Sequence, residues 1–325
     1  MMAIGENIGG WNAVGRDKVV TVIGGSGFIG RYVVERLARA GCQIRVGVRH
    51  PDRALFLKPC GDIGQITPLA VNIRDRDSVA AVVAGADAVV NLVGILFQAG
   101  PQRFQAVQAE GASLVAQAAQ AAGVARLVHI SAIGADPASP AAYGRSKAAG
   151  EAAVRAAFPA ATILRPSVVF GPEDNFLNRF AGMAALSPIL PVVGGKTRFQ
   201  PVYVGDVAQA VVAALQRPEA AGRLYELGGP RVYSFRDLLK LMLHWINRQR
   251  CIVDLPFPIA SLQAAVLQLL PTPPLTLDQV RLLRRDNIVD PNAPGLADLG
   301  IAPTPLESVA PIYLARYRRG ATAAW

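Results

Sequence analysis

Cysteine and histidine are both scarce in this sequence, with only three of each among 325 residues. The cysteines, Cys42, Cys60 and Cys251, are far apart and form no CxxC pair. This usage indicates a reducing compartment and argues against a structural zinc site. The histidines are equally dispersed and show no metal-ligand spacing, so we expect no metal site in this protein.

Long apolar runs are missing as well. The most apolar stretch near the C-terminus, Ile259 to Leu270, is interrupted by polar residues. It falls short of the roughly 20 residues that a membrane-spanning helix needs. Residues 1–17 are small and polar, without the charged and then apolar segments of a targeting signal. The sequence therefore predicts neither a spanning helix nor a targeting segment.

Cations outnumber anions by 33 to 23, which gives a formal net charge of +10. Such a surplus favours an acidic partner, either nucleic acid, an anionic lipid surface or an acidic protein. Lysine and arginine are spread along the chain, however, apart from two small clusters that could equally be solvated helix faces. These clusters are Arg281/Arg284/Arg285 and Arg316/Arg318/Arg319. Neither is dense enough for a nucleic-acid patch, so we expect no nucleic-acid partner.

A glycine-rich turn is the most informative feature that is present. Glycine recurs at Gly24, Gly27 and Gly30, between the apolar run 19–23 and a helical pattern that starts near Tyr32. This spacing lets the backbone approach a pyrophosphate closely, and the following helix N-terminus offers free N–H groups and a positive dipole end. The turn predicts a dinucleotide-binding site.

The residue that ends the next strand distinguishes between the two nicotinamide dinucleotides. An acidic residue about 20 residues after the turn would bind the ribose 2′-hydroxyl of NAD. Here the apolar segment 43–48 is followed by Arg49, with Arg53 one helical turn later. Guanidinium groups pair well with a 2′-phosphate. The sequence predicts a preference for NADP(H), unless both arginines are merely solvated.

Apolar segments alternate with helical ones as far as residue 165. The predicted strands are 19–24, 43–48, 66–71, 87–93, 126–131 and 160–165, with helical patterns at 101–122 and 143–157. Such alternation predicts an α/β fold with a doubly wound, parallel Rossmann sheet. We expect the short apolar segments 202–204 and 224–227 to return to this sheet.

Beyond residue 166 the pattern loosens, and helical patterns recur at 206–216, 234–247, 256–270 and 276–285. We predict two units from this change. An NADP(H)-binding Rossmann domain would comprise residues 18–169 plus 203–228. A smaller, mainly helical C-terminal lobe that contacts a substrate or partner would comprise residues 170–202 plus 229–319.

Tyr143 and Lys147 are four residues apart, which places them on one helix face. A nearby ammonium lowers the pKa of a phenol, so Tyr143 could act as a general acid or base near neutral pH. Lys147 could also hold the ribose hydroxyls of a cofactor, and Ser131 at the end of the fifth strand is a third candidate. The pair is a weak signal alone but a strong one after a dinucleotide-binding turn.

The chain resembles the extended and atypical short-chain dehydrogenases/reductases over about residues 18–230. The matching motifs are 24–30, 72–75, 91–94, Ser131, Tyr143/Lys147 and 164–172. The resemblance implies catalytic roles for Tyr143, Lys147 and Ser131, and cofactor contacts along the whole site. The cofactor contacts would come from Gly24, Ser26, Gly27, Phe28, Ile29 and Gly30 at the pyrophosphate, Arg49 and Arg53 at the 2′-phosphate, Asn72 and Ile73 at the adenine, Val93 and Gly94 along the nucleotide, Tyr143 and Lys147 at the nicotinamide ribose, and Pro166 to Val168 beside the nicotinamide.

One departure from the family pattern concerns catalysis. Extended members carry Ser or Thr two residues beyond the serine that ends strand five, whereas this chain has Ile133 there. Without that hydroxyl, a substrate oxygen loses a donor that positions it. Either Ser131 takes this role, or Tyr143 and Lys147 only hold the cofactor, since fold and cofactor do not establish turnover.

Segments in both halves of the chain, 91–95, 171–176, 200–208 and 276–280, narrow the resemblance to one branch. It contains the dehydrogenase-like, nucleotide-binding accessory subunit of respiratory complex I and bacterial relatives of the NAD-dependent epimerase/dehydratase type. The branch implies a tightly held NADPH with a structural role and complex I subunits as partners. The alternative is an active NAD(P)-dependent oxidoreductase or epimerase on a quinone-related or sugar-nucleotide substrate.

The C-terminal half bears on this choice. Arg179, Lys196 and Arg198 could hold a sugar-nucleotide diphosphate, but residues 255–271 are very apolar for that purpose. An apolar lobe edged by arginines favours a lipid-like ligand, a membrane surface or a protein partner, unless 256–270 simply packs internally. We expect a cytoplasmic protein that is peripheral on the inner face of the cell membrane, or on the matrix side in an organelle.

Overall fold

The structure is a computed structural model that describes residues 14–270 and 273–318. Residues 1–13 of the segment considered for a targeting signal, and Arg319 of the second cation cluster, lie outside the described residues. The strands are β1 (Val19–Ile23), β2 (Gln43–Val48), β3 (Ile66–Ala70), β4 (Ala88–Asn91), β5 (Arg126–Ile130), β6 (Thr162–Pro166), β7 (Val169–Phe170), β8 (Ile189–Val193), β9 (Arg198–Phe199), β10 (Val202–Tyr203), β11 (Leu224–Leu227), β12 (Tyr233–Ser234) and β13 (Cys251–Leu255).

The helices follow most of the predicted helical patterns. They are α1 (Phe28–Arg39), α2 (Arg76–Val83), α3 (Gly111–Ala121), α4 (Ala142–Ala157), α5 (Leu177–Leu186), α6 (Val204–Gln216), α7 (Phe235–Trp245), α8 (Phe257–Leu267), α9 (Leu277–Leu282) and α10 (Leu306–Leu314). A 3-10 helix spans Pro51–Cys60, a π-helical segment spans Gln105–Glu110, and short 3-10 turns are Pro218–Ala220, Ala297–Leu299 and Ala315–Tyr317.

The main sheet has seven parallel strands in the order β11-β6-β5-β4-β1-β2-β3. This order confirms the predicted doubly wound Rossmann sheet. The chain winds from β1 toward β3 on one side and from β4 toward β11 on the other. A crevice therefore opens outside the carboxyl ends of β1 and β4, which is where such sheets bind ligands.

Both faces of the sheet are buried, as continuously apolar strands require. Val22 points into an apolar cluster that includes Leu37 of α1 and Val211 of α6. On the other face, Val89 lies in a cluster with Val115 of α3. Burial of each such side chain is worth about 1.5–3 kcal/mol, so the two layers of helices hold the crevice in place.

Outside the main sheet, strands form three two-stranded pairs: β7 with β10, β9 with β12, and β8 with β13. The prediction that 202–204 returns to the main sheet is wrong. Val202 and Tyr203 pair with β7, and Val204 begins α6. The reason is that β11 already occupies the sheet edge beside β6. The prediction that 224–227 returns to the main sheet was correct.

The C-terminal half contains an apolar cluster of its own among α5, α7 and α10. Helices α2, α5 and α10 and strands β7, β8, β9, β12 and β13 were not predicted. The helix expected from residue 101 begins only near Phe104 and includes the π-helical segment. Among the described residues, no helix is both long and apolar enough to cross a membrane. The exact division into two domains stays a prediction.

Candidate functional site

The glycine turn connects β1 to α1 at the edge of the crevice. Gly24 has a φ of +85°, which favours glycine, and its amide donates to the Gly47 carbonyl at 2.8 Å. A Cβ on Gly30 would lie 2.4 Å from the Gly24 carbonyl oxygen, so α1 can approach the turn only with glycine there. Gly27 precedes α1 without a side-chain cap, and the first turn has no acidic residue. The helix N-terminus is therefore suited to bind an anion.

Two of the predicted cofactor-binding arginines, Arg49 and Arg53, come directly after β2. Arg49 and Arg53 are exposed, and their guanidinium groups make no ion pair or hydrogen bond within the described residues. Sequence reasoning missed a third cation, Arg31, whose position directly after Gly30 was the available signal. Its guanidinium lies 5.1 Å from the ring centroid of Phe56, on the same 3-10 helix as Arg53. Arg31 also pairs with Glu173 at 3.2 Å, which partly neutralises it.

The residues predicted at the adenine lie in the loop after β3. The Asn72 side-chain oxygen accepts from the Arg74 amide at 3.2 Å, so it shapes its own loop. Ile73 is buried in the cluster between the sheet and α3. Val93, after β4, is adjacent to the glycine turn, because a Cβ on Gly24 would lie 3.2 Å from its methyl group. The structure brings Val93 and the turn together, while Ile73 belongs to the core.

Tyr143 and Lys147 lie one turn apart on α4, where Tyr143 packs edge-on against Phe104 and Lys147 reaches the carboxyl end of β5. Lys147 is 4% exposed, and its Nζ donates to the Ile130 carbonyl at 3.2 Å. A Cβ on Gly94 would lie 3.2 Å from that Nζ, so Gly94 leaves room beside the ammonium. Ser131 directly follows β5, and its buried hydroxyl has no hydrogen-bond partner within the described residues. The structure thus brings Lys147, Gly94 and the end of β5 together.

The titration of the pair differs from expectation. Burial raises the pKa of Tyr143 to about 12. Burial also lowers the pKa of Lys147 to about 8, although the charge of Glu151 opposes this shift. The prediction that Lys147 lowers the pKa of Tyr143 is therefore wrong for this structure, because removal of the phenol from water dominates. At neutral pH Tyr143 is a neutral phenol that can donate a hydrogen bond.

Gln108 was missed by sequence reasoning, since it lies in an alanine-rich helical pattern without any distinguishing neighbour. It belongs to the π-helical segment, and such segments are frequent at functional sites. Its amide nitrogen donates to the Ser146 hydroxyl at 3.1 Å. Its buried amide oxygen has no partner within the described residues and lies, like Lys147 Nζ, beside Gly94. This oxygen is available to accept from a ligand.

His129 and Asn91 form a second buried polar pair, on adjacent strands β5 and β4. The amide nitrogen of Asn91 lies 3.2 Å from His129 Nδ1, and the Asn91 oxygen accepts from the Val93 amide at 3.1 Å. Burial, together with the charge of Lys147, lowers the pKa of His129 to about 3. His129 is therefore neutral and holds the strand ends that position Val93.

The segment predicted beside the nicotinamide leaves the end of β6. The Pro166 carbonyl accepts from the Ile133 amide at 3.1 Å. Val168 is half-buried, and its amide donates to the side-chain oxygen of Asn287 at 2.9 Å. Asn287 comes from the far end of the chain and was not a predicted site residue, because nothing local marks it.

The arginines of the C-terminal half are mostly engaged within the chain. Arg285 pairs with Asp136 at 2.8 Å, and Arg284 lies 5.1 Å from the ring centroid of Phe257. Two members of the cluster 281–285 are therefore engaged by other parts of the chain. Only Arg281 in that cluster has a guanidinium without a partner among the described residues.

The three cations considered for a diphosphate do not form a common site. Arg179 donates to the Pro274 carbonyl, and Arg198 pairs with Asp286 at 2.7 Å. Lys196 is exposed and lies where two shallow clefts meet. These bonds leave only Lys196 available to an anion, which disfavours a sugar-nucleotide site there.

A nicotinamide dinucleotide fits the residues of the crevice. The glycine turn is a cradle that a Cβ would fill, and the buried oxygens of Ser131 and Gln108 have no partner within the described residues. Together with Tyr143 and Lys147, they provide donors and acceptors of the kind that ribose and carboxamide groups need. Among the described residues, no group of three His, Cys, Asp or Glu side chains could hold a metal ion.

Comparison with known proteins identifies relatives over nearly the whole chain. Residues 20–228 match the family model described as "NAD dependent epimerase/dehydratase family". The "NADH dehydrogenase [ubiquinone] 1 alpha subcomplex subunit 9, mitochondrial" of Arabidopsis thaliana is 40% identical over 317 residues, covering 93% of this chain and 78% of that protein. A "Ceramide reductase" of Caulobacter vibrioides is 34% identical over 248 residues, covering 74% of each protein.

Solved structures show the same fold at lower identity. The "NADPH-dependent quinone oxidoreductase (QOR2)" of Escherichia coli superposes with a TM-score of 0.70 at 22% identity. The match covers 90% of this chain and 99% of that one.

Proposed function

The chain belongs to the NAD dependent epimerase/dehydratase family, and from that premise we propose that it is an NADP(H)-binding accessory or assembly subunit of a respiratory NADH:quinone oxidoreductase (complex I). The observation that carries the proposal is an apolar face on α8 that the described part of the chain leaves exposed, in a chain 40% identical to a plant NADH dehydrogenase subunit. Large exposed apolar patches mark protein or membrane interaction sites. In a subunit of a complex, a neighbouring subunit would cover such a face.

The apolar face of α8 is directed outward. Its small residues Ala260 and Ala264 are fully buried, whereas Leu262, Val266 and Leu269 are 72%, 64% and 82% exposed. Ile259 and Leu270 extend the same surface. The alternative that 256–270 packs internally is thus unsupported. We call the surface formed by Ile259, Leu262, Val266, Leu269 and Leu270 the α8 face.

Two cations lie at the start of α8. Arg284 contacts the ring of Phe257, the first residue of α8, and Lys196 lines the same cleft. An apolar surface edged by cations is suited to an anionic membrane interface, where each cation adds about 1 kcal/mol of attraction. The proposed location is therefore a membrane surface beside complex I subunits, on the cytoplasmic side in a bacterium or the matrix side in an organelle.

The cofactor is proposed to be NADP(H), held in the crevice. The assignment is supported by Arg49, which directly follows β2 where an acidic residue would bind a 2′-hydroxyl, by Arg53 on the next 3-10 helix, and by Arg31, whose guanidinium contacts Phe56 of that helix. A structural rather than a turnover role is supported by Ile133, which is buried and has no hydroxyl.

The proposal is tested by isolating the tagged, full-length chain from the membranes of its source cells. We expect complex I subunits among the co-purifying proteins and NADP(H) after denaturation of the complex. The Leu262→Gln/Leu269→Gln variant should lose this association. An Ile63→Gln/Ile312→Gln variant is the matched control, because those residues are 107% and 76% exposed but lie elsewhere.

A Gly27→Val variant separates the two halves of the proposal, since it blocks the cradle while leaving the α8 face intact. It should purify without nucleotide. Recovery of the wild-type chain only from the soluble fraction at low salt, without complex I subunits, would refute the subunit proposal. Recovery of NAD(H) alone would refute the cofactor assignment.

A second candidate function is an active NAD(P)H-dependent oxidoreductase, with an epimerase less favoured. It is supported by the neutral Tyr143 phenol one turn from Lys147 and by the relative named "Ceramide reductase". The apolar C-terminal half suits a lipid-like or quinone-related substrate better than a sugar nucleotide. Oxidation of NADPH by the purified chain with a quinone or lipid ketone, abolished by Tyr143→Phe, would favour this function.

A further inference from the structure

Helix α4 carries Tyr143 and Lys147 but does not cap its own N-terminus. Ala141 provides no side-chain cap, and the first turn of α4 contains no acidic residue. Instead, the carboxylate of Asp278 accepts from the amides of Ala142 and Tyr143 at 2.6 and 2.9 Å. A carboxylate at this end of a helix satisfies free N–H groups and opposes the helix dipole. A residue 135 positions away thus fixes the start of the helix on which Tyr143 lies.

Asp278 is itself held firmly. It lies in the first turn of α9, which begins with a capping box between Thr276 and Gln279. Val280 of α9 is buried against Ala264 of α8. The carboxylate therefore has a fixed position relative to the C-terminal half.

Nine residues further on, Asn287 makes a similar contact with the segment that follows β6. Its side-chain oxygen accepts from the Ser167 hydroxyl at 2.7 Å and from the Val168 amide at 2.9 Å. Its backbone carbonyl also accepts from the Ser167 hydroxyl, at 2.9 Å. This arrangement fixes the segment after β6, and Arg285 adds a tie to Asp136 in the loop after β5.

All these contacts reach the same half of the crevice. They hold the elements that bear Tyr143, Lys147 and Val168, whereas no described bond connects residues 276–287 to the glycine turn or to Arg49. We propose that Asp278 and Asn287 are positioning residues for the nicotinamide half of the dinucleotide site. The inference rests on the proposed dinucleotide binding and adds the two residues that align one half of that site.

The test compares two probes, NADPH and 2′,5′-ADP, because the latter contains only adenosine with its 2′- and 5′-phosphates and lacks the nicotinamide half. In titrations with the full chain, Asp278→Ala and Asn287→Ala should each weaken NADPH binding about tenfold, the scale of lost hydrogen bonds to a charged or buried group. Binding of 2′,5′-ADP should change less than about twofold. Asp278→Asn, which keeps one acceptor oxygen, should restore part of the NADPH affinity.

Asp286→Ala is the matched control, since Asp286 lies on the same segment but bonds to Arg198. It should leave both affinities unchanged. A merely structural role for Asp278 and Asn287 would weaken both probes in parallel, and that result, or unchanged NADPH binding, would overturn the inference. Failure of the wild-type chain to bind either probe would refute the proposed dinucleotide function, and the inference with it.

Discussion

Two glycines of the same turn are required for different physical reasons. At Gly30 the protein itself excludes a side chain, since a Cβ would lie 2.4 Å from the Gly24 carbonyl oxygen and 2.6 Å from Gly25 Cα. At Gly27 a Cβ would meet only the Gly24 carbonyl oxygen, at 3.2 Å. Substitution at Gly30 should therefore affect folding, whereas substitution at Gly27 should affect the ligand. The spacing of the two residues does not reveal this difference.

Arg49 is where one charge should decide the choice of dinucleotide. Arg49→Asp should weaken NADPH binding by about 1.5–3 kcal/mol, because it replaces a charge-assisted hydrogen bond to the 2′-phosphate by repulsion. Isothermal titration with NADPH and NADH measures the effect, and NADH affinity should not fall. Lys58→Asp, with the same charge change at the far end of the 3-10 helix, should have a much smaller effect. Equal affinity of the wild-type chain for both nucleotides would contradict the assignment.

At the scale of elements, the position of Lys147 depends on how closely α4 approaches the π-helical segment. Gly150 lies one turn beyond Lys147, and a Cβ on it would lie 2.1 Å from the backbone carbonyl oxygen of Gln108. Two backbones thus touch at this point, and the contact also positions Gln108. Gln108 belongs to the π-helical segment at this contact.

Gly150→Ala should force α4 and the π-helical segment apart. We expect a loss of about 1–3 kcal/mol in the free energy of unfolding, because the clash involves backbone atoms that cannot rotate away. Urea unfolding measures the change. Gly182→Ala on α5 is the control, since the nearest atom lies 3.9 Å from its added Cβ, and it should be neutral or stabilising by up to about 1 kcal/mol. A neutral Gly150→Ala variant would show that α4 does not depend on this contact.

At the scale of the whole molecule, stability should depend on keeping His129 neutral. Its pKa of about 3 in the folded protein lies below the ordinary value of 6.5. Between these values the unfolded chain binds more protons than the folded one, so stability rises with pH. This contribution is fully present above pH 6.5 and is lost as the pH falls toward 3. A single proton gives at most about 1.4 kcal/mol per pH unit.

Urea unfolding at pH 7, 5 and 4 tests this dependence. The wild-type chain should lose stability steeply over this range, whereas His129→Gln should be less stable at pH 7 but lose less on acidification. His244→Gln, which alters an exposed histidine on α7, should follow the wild type. Parallel pH profiles for wild type and His129→Gln would mean that other groups govern the acid response.

The sequence by itself determined the parallel sheet, the glycine turn and the Tyr143/Lys147 pair. Each depends on short-range spacing: the period of apolar residues, the conformational freedom of glycine, and the four-residue repeat of a helix face. The strands of the main sheet were placed to within a few residues for the same reason. The individual cofactor contacts were predicted from the resemblance to known motifs, because spacing alone does not assign them.

Only the tertiary structure decided what depends on distant parts of the chain. Strand β10 paired with β7 because β11 occupied the sheet edge, and burial raised the pKa of the Tyr143 phenol although Lys147 lies one turn away. Asp278 and Asn287 reached the crevice across more than 100 residues of sequence. The sequence also did not show which side of α8 is exposed, since a helix that is apolar all round can bury either side. Contacts between distant residues and the burial of side chains depend on how the elements pack, and local sequence spacing does not contain that information.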